Sequence, residues 1–140
     1  MNRLLKCFAI LAMFFVHSTA TFAAVPEINV TNAFFYVPIV GSKTTMAFFT
    51  ISNNSNEDIK ITGISSGAAR QVRLMPENTL LIPAHHSITL KGSGRYVQVI
   101  EPKGRLTTGD ELHLVVSLSN GKRLQVIALA KSAYDEVHSR

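Results

Sequence analysis

The sequence predicts an all-β domain, a Greek-key β-sandwich, and three observations carry that expectation. From Ile28 onward the apolar residues recur with a period near two. Turn-forming residues interrupt that pattern about every ten positions, the spacing of short antiparallel strands. No segment downstream of the first two dozen residues shows an apolar stripe at helical spacing.

Taken in order, the predicted strands are Ile28 to Tyr36, Met46 to Asn53, Ile59 to Ser65, Gln71 to Met75, Thr79 to Ile82, Ser87 to Leu90, Tyr96 to Ile100, Glu111 to Leu118 and Arg123 to Leu129. The breaks between them have a mechanism. Asn53-Asn54-Ser55-Asn56, Gly92-Ser93-Gly94 and Gly109-Asp110 supply side chains that cap turns or backbones that accept positive φ. Asn120-Gly121, between two alternating apolar runs, predicts a tight hairpin. Met46-Ala47-Phe48-Phe49-Thr50-Ile51 is apolar on both phases, which suits a central strand covered on both faces with Met46 inside. The predicted core is Phe48, Ile51, Ile61, Ile64, Leu90, Val99, Leu114, Val116 and Val126. Phe34, Phe35, Tyr36, Val37 and Ile39 read either as a half-buried first strand, which their partial alternation favours, or as an exposed apolar edge.

Residues 1–24 read as a signal peptide. Arg3 and Lys6 form a positive head, Cys7 to Val16 an uncharged apolar run, and small residues follow up to Ala23 and Ala24. That run is shorter than the roughly 20 residues a bilayer crossing needs, so the expectation is a periplasmic or secreted protein with no membrane contact after leader removal. Residues 25–130 then form the β domain and 131–140 a tail, either frayed or a short helical turn. Without Arg3 and Lys6 the 14 Lys and Arg fall to 12 against 9 Asp and Glu, a net +3. The basic residues are scattered singly apart from Lys122-Arg123, so no phosphate-tracking stripe exists and nucleic acid is excluded as a partner. Cys7 is the only cysteine, so a processed chain has no disulfide, thiolate metal site or cysteine nucleophile.

The order of short sequence words resembles one family over most of the chain. Ile28-x-Val30-x-Asn32-Ala33-Phe34 comes first, then Gly41-Ser42-Lys43 leading into Met46 to Asn53, Gly63 to Ala69, and Val72-Arg73-Leu74. Ile82-Pro83-Ala84, Leu90-Lys91-Gly92-x-Gly94-x-Tyr96 and Leu106-x-x-Gly109-Asp110 follow. This succession resembles the periplasmic copper chaperones known as PCu(A)C, formerly a domain of unknown function. The resemblance implies a cupredoxin-like sandwich that handles or delivers Cu(I), with another periplasmic copper or oxidase-assembly protein as partner.

It also implies a ligand set, and here the chain departs from the pattern. The family holds Cu(I) with a His, a Met roughly ten residues later and a His-x-Met pair, soft donors suited to the cuprous ion. The first His should follow the Val-x-Leu word, where this chain has Met75. The segment for the next Met is short, since only the seven residues Pro76 to Ile82 precede Pro83. Placing the pair just after the Gly-x-Tyr word puts its slots at Val97 and Val99, which offer no donor. The resemblance therefore implies a depleted site that binds Cu(I) weakly or not at all.

Other donors are few. His85 and His86, with Met75, are the candidates for a relocated metal site, against the plainer reading of a solvated turn. His113 and Glu111 sit two apart on one strand face, as surface neighbours do. His138 lies in the tail with Asp135 and Glu136. The serines lack a Gly-x-Ser-x-Gly elbow and no carboxylate pair forms an acid/base arrangement, so the expectation is a protein without enzyme activity. Two functions fit: copper handling with an eroded site, or a metal-free binding or assembly module on the same fold.

Overall fold

The computed structural model describes residues 26–138; the leader 1–24 lies outside them. Nine strands follow one another: β1 (Ile28–Tyr36), β2 (Thr44–Asn53), β3 (Ile59–Ser65), β4 (Ala69–Met75), β5 (Leu80–Ile82), β6 (Ser87–Thr89), β7 (Tyr96–Pro102), β8 (Glu111–Leu118) and β9 (Arg123–Lys131). A helical turn, α1 (Ala133–His138), ends the described chain, so the tail takes the helical of its two expected forms. Every predicted strand is present, β1, β3 and β8 with the expected bounds and the others with one end displaced by one or two residues.

The strands form one sheet in the order β4-β7-β2-β1-β9-β8-β3-β5, with β6 paired to β2. All pairings are antiparallel except β1 with β9, which lie parallel from Phe34 beside Leu129 to Tyr36 beside Lys131. β2 is shared lengthwise: Thr44 to Ala47 pair with β7 and Thr50 to Ser52 with β6. The sheet curls until β3 and β4 touch, which turns one face of every long strand inward. The predicted hairpin closes β8 onto β9, with the Gly121 amide donating to the Leu118 carbonyl at 3.0 Å and Gly121 at φ +82°. Such positive φ is what glycine accepts without strain.

The core follows the period-two pattern. Ile51, Ile61, Ile64, Leu90, Val99, Leu114, Val116 and Val126 are all buried. Phe48 is the exception, because β2 is covered on one side only. Thr45, Ala47, Phe49, Ile51 and Asn53 point inward while Met46 and Phe48 point outward, where no second layer covers them. Phe49 therefore fills the core place expected of Phe48, and Met46, expected as a core gap filler, is 44% exposed. In β1 the alternation breaks at a bulge between Thr31 and Phe34, where Asn32 takes φ +53°, so that Phe35 returns to the inside.

One buried polar side chain locks the turn after β2. Asn53 donates through Nδ2 to the carbonyls of Glu57 at 2.7 Å and Ile82 at 3.0 Å, while its Oδ1 accepts from the Ser55 amide at 3.0 Å. With these bonds made, the amide is tolerated at the edge of an apolar core.

Candidate functional site

The inward valines and leucines of β4 and β7 decide what their outer face can present. Val72 and Leu74 are buried, so Arg73 and Met75 turn outward. Val97 and Val99 are wholly buried, so Tyr96 and Gln98 turn outward. This moves the accessible phase of β7 by one residue from the slots inferred by word matching. A donor pair at 97 and 99 would point into hydrocarbon, whereas a pair at 96 and 98 would face solvent.

Strand register then places the neighbours. Met75 stands opposite Tyr96, and Gln98 stands between Arg73 on one side and Met46 on the other. Met46 and Met75 thus share one face, on a diagonal of about 12 Å between Cα atoms from ordinary strand spacings. Tyr96 and Gln98 lie between them and supply only a phenol and an amide, hard donors for a cuprous ion. Arg73, opposite Gln98 in the register, donates through Nη2 to Gln71 Oε1 at 3.3 Å and adds a positive charge that disfavours a cation on this face. A pocket of about 330 Å³ opens beside this row, lined by Tyr36, Ile39, Met46, Tyr96 and Gln98 among others. A second cleft, of about 500 Å³, lies under Met75 and Pro76 with Lys60, Glu77 and Arg95 on its walls.

The histidines expected to accompany Met75 are elsewhere. His86 sits at the far end of β2, where its carbonyl accepts from the Asn53 amide at 2.8 Å. Met75 joins the sheet about five residues along β2 from that point, close to 17 Å away. The two imidazoles also diverge. His85 Nε2 lies 2.9 Å from Asn56 Oδ1, while His86 Nδ1 donates to the Ala84 carbonyl at 2.8 Å within its own turn. The structure therefore does not assemble Met75, His85 and His86 into a site. His113 Nε2 and Glu111 Oε2 are 3.6 Å apart and largely exposed, a solvated pair. Among the described residues no three His, Cys, Asp or Glu side chains gather in a metal-binding cluster.

The structure adds an aromatic cluster on the outer face of β1 and β2. The Phe34 ring stacks on Phe48 at 5.4 Å, and Tyr36 meets Phe34 and Phe48 edge-on at 5.6 and 5.8 Å. Lys131 Nζ lies 4.4 Å and Lys91 Nζ 5.4 Å from the Phe34 ring centre, within cation–π range. The sequence signal for it is the second apolar phase of β2, Met46-x-Phe48, which continues across the sheet into Tyr96.

Comparison with known proteins agrees with this architecture. The chain matches the LpqE-like family over residues 28–129. Among solved structures, the apo PCuAC domain from PmoF1 superposes with a TM-score of 0.71 at 20% identity, covering 79% of this chain and 98% of that one. The copper-bound PCuAC domain from PmoF2 gives 0.70 at 15% identity, covering 79% and 97%. The Cu(I) form of DR1885 from Deinococcus radiodurans gives 0.60 at 23% identity, covering 83% and 84%. No curated protein matches at the sequence level. At these identities the shared property is the fold, and with the family match covering most of the chain, this protein belongs to the LpqE-like family and is built on the PCuAC domain fold.

Proposed function

We propose that this chain is an exported protein of copper handling, released from its leader into the periplasm or beyond, whose own copper site is depleted of ligands. The observation that carries the reading is the match of the whole curled sheet to PCuAC domains solved both with copper and without it. Within that reading Met75 is the remaining soft donor at the first ligand place, Tyr96 and Gln98 occupy the accessible pair on β7, and Met46 is a second thioether too far off to complete a site. The chain then acts without enzyme chemistry, beside another exported copper or oxidase-assembly protein that carries the metal.

The test is a Cu(I) titration under reducing conditions against a competing chelator. Weak binding, reduced further by Met75→Leu, fits the proposal; tight one-to-one binding contradicts the depleted site. A second reading, a metal-free binding module, is favoured by the Phe34, Tyr36 and Phe48 cluster beside the same pocket. It predicts that Met75→Leu leaves Cu(I) uptake unchanged at the chain's background level.

A further inference from the structure

The connection between β1 and β2 carries the most exposed aliphatic side chains of the described residues. Ile39 is 80% exposed and Val40 97%. They are held out by a closed turn. The Ser42 amide donates to the Ile39 carbonyl at 2.8 Å, and Gly41 takes φ +86°, the arrangement of a type II turn with glycine at its third place. On one flank the loop borders the pocket that includes Tyr36 and Ala133, the first residue of α1, whose Tyr134 and Val137 are also largely exposed. On the other flank Val37, Pro38 and Val40 share a groove with Pro102, Arg105 and Leu106.

Basic residues surround this tip. Lys43 follows the turn, Lys103 and Arg105 leave the end of β7, and Lys131 closes β9 with its carbonyl on the Val37 amide at 3.0 Å; all four are exposed. Two nearby carboxylates have partners. Glu101 pairs with Arg70 at 2.7 Å, and Asp110 accepts from the Thr107 amide at 2.8 Å.

A protruding aliphatic turn offers no directional contacts, and a rim of Lys and Arg attracts anions. A fluid apolar layer beneath a negatively charged surface satisfies both at once. We infer that the 37–42 turn docks this protein on an anionic lipid surface, with Ile39 and Val40 entering the headgroup boundary and Lys43, Lys103 and Arg105 facing the phosphates. No helix among the described residues is long and apolar enough to span a bilayer. This docking departs from the expectation that membrane contact ends with the leader, and it stands independently of the copper reading.

The experiment is co-flotation of the protein recovered after export with vesicles of phosphatidylcholine alone or with about one-third phosphatidylglycerol. The native chain is expected on the anionic vesicles and only faintly on the neutral ones. Ile39→Ser with Val40→Ser should lower anionic binding about tenfold, with circular dichroism unchanged because both side chains lie outside the core. Lys43→Gln with Arg105→Gln should lower anionic binding several-fold and leave the neutral vesicles as they were. Absence of native binding overturns the inference, as does a serine variant that floats like the native chain. Loss of a co-purified protein with the serine variant, without vesicle binding by the native chain, would overturn it in favour of a protein partner.

Discussion

The two faces of β2 and β7 carry side chains of similar apolar character and have opposite consequences. Inside, Ala47, Phe49, Val97 and Val99 meet side chains from the rest of the curled sheet and are essentially solvent-free. Outside, Met46, Phe48 and Tyr96 come from the same strands, alternate with them residue by residue, and keep contact with water, Phe48 sharing its face with Phe34 and Tyr36. Hydrophobicity alone does not tell the two sets apart. What separates them is whether the topology supplies a covering layer, and only the uncovered set is available for recognition.

The largest expected effects come from changing one face and then the other at adjacent positions. Phe49→Ala should destabilise the fold by about 3–5 kcal/mol, the range for removing a fully packed aromatic. Phe48→Ala should cost roughly 1 kcal/mol, because its ring keeps partial water contact and loses mainly the stacking on Phe34. Urea denaturation of both variants checks the difference, and equal losses would mean that the outer face is covered after all.

A polar substitution sharpens the same contrast on β7. Val97→His should cost about 2 kcal/mol or more, since an imidazole would be buried among side chains that offer no hydrogen bond. Tyr96→His should stay within about 1 kcal/mol, as the new ring remains at the surface. Thermal melting of the pair reads the order directly.

Two smaller effects test polar groups at the edges of the comparison. Asn53→Ala removes two donated and two accepted bonds at the turn after β2, and a loss of about 1–3 kcal/mol of stability is expected. Glu111→Gln should change stability by no more than a few tenths of a kcal/mol, because its partner His113 is as exposed as the carboxylate itself. A measurable drop there would show that the pair is structural.

Most of the fold was legible in the sequence because alternation and turn chemistry are local. Leu112-x-Leu114-x-Val116 with Asn120-Gly121 specifies a strand, its inner face and its hairpin within a dozen residues. Phe48 was misplaced because the run Met46 to Ile51 is apolar on both phases, and its period carries no phase information. The bulge at Asn32 was invisible for a related reason: one extra residue shifts the phase without changing composition. The candidate site was less legible. Val97-Gln98-Val99 does contain the signal that puts the valines inside, but matching words after Gly94 assigns the ligand places to those same valines. The separation of Met75 from His85 and His86 depends on which strands pair with which half of β2, and that pairing is not local in the chain.

On the proposed copper-handling function, the outer positions of β4 and β7, not the inner ones, are where Cu(I) donors would have to stand, since Met75, Tyr96 and Gln98 face outward while Val97 and Val99 are buried. Cu(I) competition titration of Met75→His with Tyr96→His and Gln98→Met, beside the native chain and Met75→His with Val97→His and Val99→Met, tests it directly. Residues two apart on a strand share a face, so the outer triple variant brings two imidazoles and a thioether to solvent on one surface. The expected result is a gain in Cu(I) affinity of about a hundredfold or more for the outer variant over the native chain, and an unstable protein without such a gain for the inner one. Tight binding by the native chain, or a gain confined to the inner variant, would contradict it.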